Sequence, residues 1–253
     1  MKQSLRHQKI IELVTLQGYI STEELVSLLN VSPQTIRRDL NELAENNQIR
    51  RHHGGAASPS SSENSDYSDR KQFFSQAKMK IAQAVAKLIP DGSSLFIDIG
   101  TTPEAVANAL LNHKNLRIVT NNLNAAHILM QNETFKIAMA GGSLRQDGGI
   151  IGEATIAFIS QFRLDYGILG ISSIDLDGSL LDYDFHEVQV KRAIIESSRN
   201  TVLVADHSKF SRSAIVKLGS ITDVEYFFTD TTPPTSITDL LRGSGVEVRI
   251  CDF

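Results

Sequence analysis

Within the stretch SPQTIRRDLNEL (32–43), Gln34, Arg37, Arg38 and Asn41 carry the hydrogen-bonding groups of a DNA-base reader. Arginine can give two donors at once to guanine, and Asn and Gln match the edge of adenine in the same two-pronged way. With Ile36 at the origin of a helical wheel, Leu40 and Leu43 fall within roughly 40° of it. Gln34, Arg38 and Asn41 then lie on the opposite face, with Arg37 to one side, better placed for a phosphate. Pairing of Arg37 and Arg38 with Asp39, Glu42 or Glu45 on a solvated helix is the plainer reading of an isolated basic stretch. Here a second basic segment, QIRRHHGGAA (48–57), follows closely. As a β-hairpin it forms a wing that sets Arg50, Arg51 and one of His52 and His53 against the DNA backbone or minor groove. The candidate DNA-contacting set is Gln34, Thr35, Arg37, Arg38, Asn41, Arg50, Arg51 and His52. No aromatic residues interleave the basic region, which disfavours a general RNA binder.

A second group of residues suits a phosphate. Three polar loops follow three apolar runs: Asp98-Ile99-Gly100-Thr101-Thr102, Thr120-Asn121-Asn122 and Gly141-Gly142-Ser143. Gly100 permits a sharp turn, Thr101 and Thr102 offer hydroxyls, and a helix opening at Pro103 offers free N–H groups and a positive dipole end. The loop has neither the Gly-Lys-Ser/Thr ending of a nucleotide-binding P-loop nor the G-x-G-x-x-G of a dinucleotide turn, so ATP and NAD fit poorly. A small phosphorylated metabolite fits better. For this loop alone, a simple turn with Thr102 as a cap explains the residues equally well; the two further loops on the same expected edge favour a ligand. Arg145, Lys191 and Lys209 are the candidate cations. Lys191 also stands four residues after Glu187, where an ordinary helical ion pair would form. His186 has no second metal ligand at suitable spacing, and Asp175 and Asp177 read as turn formers.

The elements that must position these residues can be read from periodicity. Leu5, Ile10, Leu13, Val14 and Leu16 mark one face of a first helix that stops at Gly18. Ser21 and Glu24 form a capping box for a second, with Leu25, Leu28 and Leu29 on its buried side. Ser32 caps a third, with Pro33 at its first position. Two short helices joined by so tight a turn form a helix-turn-helix, whose second helix enters the major groove. After residue 57 a Ser-, Asn- and Asp-rich segment reads as a linker. Beyond it, apolar strands at 94–99, 116–120, 135–140, 165–171, 201–206 and 224–230 alternate with helices at 103–111, 123–130 and around 185–198. That rhythm predicts a mostly parallel α/β sheet covered by helices on both faces. The expected division is a winged helix-turn-helix over 1–57, a linker over 58–72 and an effector-binding α/β domain over 73–253.

Bulk properties agree with this plan. The chain has 253 residues and a net charge of −4, yet residues 1–57 carry +1 and the remainder −5. The amino-terminal piece is the part able to approach a polyanion. The single Cys251 excludes an internal disulfide and a cysteine-rich zinc site. No apolar run is long enough to span a bilayer, and the polar amino terminus lacks a signal-peptide core, so a cytoplasmic location is expected.

Arg6-x3-Ile10-x3-Val14, SPQTIRRDLNEL and RRHHGGA closely resemble the DeoR-type family of bacterial transcriptional repressors. DIGTT, TNN, AGG with Arg145, Glu187 with Lys191, and DHSKF extend the resemblance over nearly the whole chain. It implies a repressor of transcription. The reading helix and the polar loops predict subunits paired on the half-sites of double-stranded operator DNA, hence an even-numbered homo-oligomer, released by a small phosphorylated effector and needing no cofactor or metal. The wording LFIDIGTTPEAVA and GGIIGEAT implies glycerol metabolism as the regulated process and glycerol 3-phosphate as the favoured effector. The resemblance also implies a Rossmann-like sensor similar in fold to ribose-5-phosphate isomerase, with Asp98, Gly100, Thr101 and Thr102 lining the pocket and Lys191 nearby. The effector set expected from these readings is Asp98, Gly100, Thr101, Thr102, Asn121, Gly141, Gly142, Arg145, Lys191 and Lys209. The rival is a sugar-phosphate isomerase with an attached DNA-binding domain. Isomerisation needs a base beside a C–H proton and an electrophile for the enediolate, roles open to Asp175 or Glu187 with Lys191.

Overall fold

The structure, a computed structural model, describes residues 2–17, 19–46, 48–52, 54–57 and 67–251. The amino-terminal domain runs α1 (Gln3–Gln17), β1 (Tyr19–Ser21), α2 (Thr22–Leu29), α3 (Pro33–Glu45), β2 (Arg50–His52) and β3 (Gly55–Ala57). Its strands form an antiparallel sheet in the order β1-β3-β2. Ser21 caps α2 through the reciprocal bonds of a capping box with Glu24, and Ser32 caps α3 with Pro33 in the first turn. Asn30, in the left-handed conformation at φ 50°, ends α2 and makes the turn between the two helices tight. Ile10, Val14, Ile20, Leu25, Leu29, Ile36, Leu40, Leu43, Ile49 and Ala56 form the core.

Two expected core leucines lie outside it: Leu5 is 59% exposed and Leu28 60%. The buried stripe of α2 is Thr22, Leu25 and Leu29, and Leu28 falls beside that stripe. Gly18 lies outside the described residues, as do the side chains of Leu16 and His52. Asp39, which the plainer reading of the basic stretch would set on a solvated face beside Arg37 and Arg38, is buried. It accepts from Arg6 Nε (2.5 Å) and Nη2 (2.9 Å) and lies 3.1 Å from His7 Nε2. This two-pronged ion pair pins α1 to α3 and accounts for Arg6 in the opening motif.

Residues 58–66 lie outside the described residues, but 67–72 of the expected linker form α4 (Tyr67–Gln72). There follow α5 (Ser75–Leu88), β4 (Ser94–Ile97), α6 (Thr101–Ala109), β5 (Arg117–Thr120), α7 (Leu123–Leu129), β6 (Lys136–Met139), β7 (Ser143–Leu144), β8 (Ile150–Ile151), α8 (Glu153–Ile159) and β9 (Leu164–Gly170). The chain continues through β10 (Ser173–Ile174), β11 (Ser179–Asp182), α9 (Phe185–Glu196), β12 (Ser198–Val204), a 3-10 turn (His207–Ser211), β13 (Val216–Ser220), β14 (Tyr226–Thr229), α10 (Thr235–Leu241) and β15 (Glu247–Ile250).

Seven strands make one parallel sheet in the order β15-β14-β12-β9-β4-β5-β6. Both faces are covered, which is why these strands read as continuous apolar runs rather than alternating ones. In β4, Leu95 and Ile97 join the cluster under α5 and α6, whereas Phe96 joins the cluster on the other face with Leu169, Leu203 and Phe227. From β4 the chain winds outward through β5 and β6, then crosses back to β9 on the other side of β4 and winds away through β12, β14 and β15. The strand order therefore reverses between β4 and β9. In open α/β sheets a ligand crevice lies at such a switch point, beyond the strands' carboxyl ends. A small antiparallel sheet, β10-β11-β13, and the β7–β8 hairpin sit beside this edge. None of the described helices is long and apolar enough to cross a membrane.

Candidate functional site

The outer face of α3 is polar and open. Gln34, Arg37, Arg38 and Asn41 are exposed, and Thr35 is half-buried, its N–H bonded to Ser32 Oγ at 3.2 Å. Arg38 is 79% exposed and its Nε donates to Glu42 Oε1 at 3.1 Å. A solvated pair of this kind contributes little, so it leaves the guanidinium available to a base. In β2, Arg50 and Arg51 are both exposed, and alternation along a strand turns them to opposite sides of the wing. Arg50 Nη1 donates to Ser213 Oγ of the second domain at 3.2 Å. His52 closes β2, and His53 lies outside the described residues.

A cleft of ≈ 30 Å³ lies at the switch point, lined among others by Gly100, Thr101, Thr102, Ser172, Glu187, Lys191, Lys209 and Arg70. Each strand end contributes. The turn after β4 carries Gly100 at φ 129°, a conformation suited to glycine, and α6 opens directly behind it. The N–H groups of Thr101 and Thr102 precede the first bond of the helix, from Glu104 N to the Gly100 carbonyl at 3.0 Å, and stand at the anion-favouring end of its dipole; Pro103, the third residue of α6, has no N–H to offer. Ser172 follows β9, and Lys209 comes from the 3-10 turn after β12.

The cleft wall carries two groups of charges. One is Arg70, whose Nη2 lies 3.5 Å from Asp147 Oδ2, and Lys209, which Asp206 attracts and Arg212 and Lys78 repel. Burial first, and then Arg212, holds the Lys209 ammonium well below the ordinary lysine range. Burial likewise brings Lys78 down to about 8. Lys78 Nζ donates to the carbonyls of Phe73 (2.6 Å) and Arg70, and so ties down the carboxyl end of α4. In the other group, Lys191 Nζ donates to Glu187 Oε1 at 2.6 Å and to Asp98 Oδ2 at 2.9 Å, and lies 3.4 Å from Asp182 Oδ2. Burial alone would lower the Lys191 pKa, but the three carboxylates outweigh it and hold the group well above its ordinary value. Burial, reinforced by repulsion from Asp182, pushes Glu187 up to about 7.

Of the expected effector residues, the cleft wall collects Gly100, Thr101, Thr102, Lys191 and Lys209, with Asp98 directly behind Lys191. Asn121, Gly141, Gly142 and Arg145 are not part of the cleft lining, though Arg145 touches the lining residue Glu187. Asn121 exchanges bonds with Ile150, donating from Nδ2 (3.1 Å) and accepting at its carbonyl (2.7 Å), which anchors the β7–β8 hairpin. The Gly141 carbonyl accepts from Thr155 Oγ1 at 2.9 Å, and a Cβ on Gly142 would fall 2.3 Å from that oxygen. Arg145 pairs with Asp147 inside the β7–β8 loop (3.2 Å) and clamps that loop to the start of α9 through Asp184 (2.5 Å) and Glu187 (3.4 Å). Asp175 and Asp177 sit in the β10–β11 turn, where the Asp177 carboxylate accepts from Ser179 N at 2.8 Å.

Sequence reasoning missed Arg70 and the part played by Glu187. Arg70 stands in a polar run with no periodicity to mark it. It reaches the cleft because Tyr67, also in α4, donates to Glu104 Oε2 at 2.7 Å and accepts from Asn124 Nδ2 at 3.0 Å. Glu187 carried the signal of a carboxylate one turn before Lys191.

A winged helix-turn-helix joined to an α/β domain with a polar cleft at its switch point is the plan of a ligand-responsive transcription regulator. Comparison with known proteins agrees: the description "DeoR-like helix-turn-helix domain" matches residues 6–62, and "DeoR C terminal sensor domain" matches residues 74–231. The chain is 75% identical over 252 residues to the glycerol-3-phosphate regulon repressor of Haemophilus influenzae, covering 100% of this chain and 98% of that one. It is 64% identical to the protein of the same name from Escherichia coli K12, covering 99% and 100%. The chain belongs to the DeoR family of transcriptional repressors, and is a regulator rather than an enzyme. Ribose 5-phosphate isomerase A of Neisseria gonorrhoeae is similar over 53% of each chain with 15% identity and a TM-score of 0.39, a likeness too slight to speak to activity or ligand.

Proposed function

We propose that this repressor is released from its operator by a small polyol phosphate, with glycerol 3-phosphate as the favoured effector, and that it governs glycerol metabolism in the cytoplasm. The observation that carries the reading is the cleft wall, which brings the cations Arg70 and Lys209 together with the Glu187–Lys191 pair and so offers a ligand two kinds of end. A phosphate directed at Arg70, Lys209 and the opening turn of α6 leaves the hydroxyls of the same molecule to meet Glu187 and Lys191. The names of the two relatives support the choice of glycerol 3-phosphate. On the DNA side, Gln34, Thr35, Arg37, Arg38 and Asn41 meet the major groove, with Arg50, Arg51 and His52 at its flank. One reading helix covers a half-site, so subunits act in pairs on an operator with two half-sites, in an even-numbered homo-oligomer.

A thermal-shift series tests the ligand. Glycerol 3-phosphate should raise the melting temperature with increasing concentration, because it binds only the folded chain. Glycerol and inorganic phosphate, each meeting one of the two groups, should raise it less. If either does as well as glycerol 3-phosphate, this reading of the cleft wall is wrong.

A further inference from the structure

A cavity of ≈ 30 Å³ has space for a water or two, since one water needs about 10–15 Å³ of this space. A polyol phosphate enters only if part of the wall yields. Ile99, Gly170 and Val204 lie on or at the ends of the central strands, and Thr101 to Pro103 begin α6. Arg70 and Lys209 belong instead to α4 and the 3-10 turn, and both of these rest on the DNA-reading domain. α4 packs against α1, and the turn packs against β1. At the start of the turn, His207 is held by Asp230, with Nδ1 2.6 Å from Oδ2, and meets the Phe74 ring edge-on at 4.7 Å. The charge of Glu24 in α2 also reaches His207. Four residues beyond Lys209, Ser213 Oγ accepts from Arg50 of the wing at 3.2 Å.

The segment 207–213 thus touches the cleft through Lys209 and the wing through Ser213. We propose that it is a strap coupling the two: when Lys209 engages the effector phosphate, the strap holds Arg50 on Ser213 and keeps that arginine directed at the sensor domain rather than at DNA. This rests on the reading of the cleft as an effector site. It assigns to Ser213 a role in release and no contact with the effector. The coupling needs only that the effector favour the latched arrangement over the unlatched one.

The test uses the full-length protein, glycerol 3-phosphate, and a fluorescent duplex enriched by that protein from a random library. Ser213→Ala should still bind glycerol 3-phosphate in a thermal-shift titration, weakened at most by the threefold to tenfold that the lost latch is worth. Its effector-induced loss of duplex affinity should be smaller than the wild-type loss by about threefold to tenfold, the worth of one hydrogen bond. Ser213→Thr, which keeps the hydroxyl, should restore release. Hydrogen exchange of residues 50–57 should slow on adding effector in wild type and stay unchanged in Ser213→Ala. Full release of Ser213→Ala, with effector still bound, would overturn the strap while leaving the effector site standing. A wild-type protein that holds the duplex and ignores glycerol 3-phosphate would overturn both.

Discussion

Glu187 and Lys78 are both displaced toward neutrality by burial, one up to about 7 and the other down to about 8. Their shifts have opposite signs, yet an arriving anion acts on both alike. A phosphate dianion nearby favours the protonated form of an acid and of a base, so it raises both pKa values. Near pH 8 the effector is already a dianion, with its own pKa at about 6, and releases almost no proton itself. Binding should therefore take up a fraction of a proton. Titration calorimetry in two buffers of different ionisation enthalpy measures this, and Glu187→Gln should reduce the uptake. Net proton release on binding would place the phosphate away from these groups.

Among the elements, α3 holds the most direct expectation. Ile36, Leu40 and Leu43 fix one side of the helix in the core, so Arg38 has one direction in which to point. Arg38→Ala should weaken specific duplex binding by about 1–3 kcal/mol and relax the preference at one base position, as gel-shift competition would show. Unchanged affinity would remove Arg38 from the reading face.

The same elements show what the sequence made legible. The caps of α2 and α3 and the strands of the parallel sheet could be read because capping and full burial leave local signatures. The structure carries Ser21, Ser32 and the apolar runs as read, with boundaries moved by a few residues. What escaped depends on distant partners. Leu5 and Leu28 match the apolar type but not the buried stripe. Arg70 looks like any charge in a polar run until α4 docks. The Asn121 and Gly141-Gly142 loops are as polar as the Gly100 loop, but their bonds go to the β7–β8 hairpin and α8 rather than to the cleft. α5, the hairpin, the β10-β11-β13 sheet and the edge strand β15 left no pattern strong enough to be assigned.

At the scale of the whole molecule, the winding order places the cleft, and chain order places the regulator. The sheet reverses between β4 and β9 and opens a crevice there. The two cationic wall pieces, Arg70 and the turn bearing Lys209, also touch the DNA-reading domain. On the proposed reading of the cleft, effector and operator act on shared elements, and each must alter the other's affinity by the same factor. A tenfold effect needs only about 1.4 kcal/mol of coupling. The most direct measurement is a fluorescence-anisotropy titration of the full-length protein onto its selected duplex at fixed salt, with and without saturating glycerol 3-phosphate. Tight binding that weakens tenfold or more with the metabolite is the expected result. Failure to bind any duplex, or the same affinity under both conditions, would contradict it.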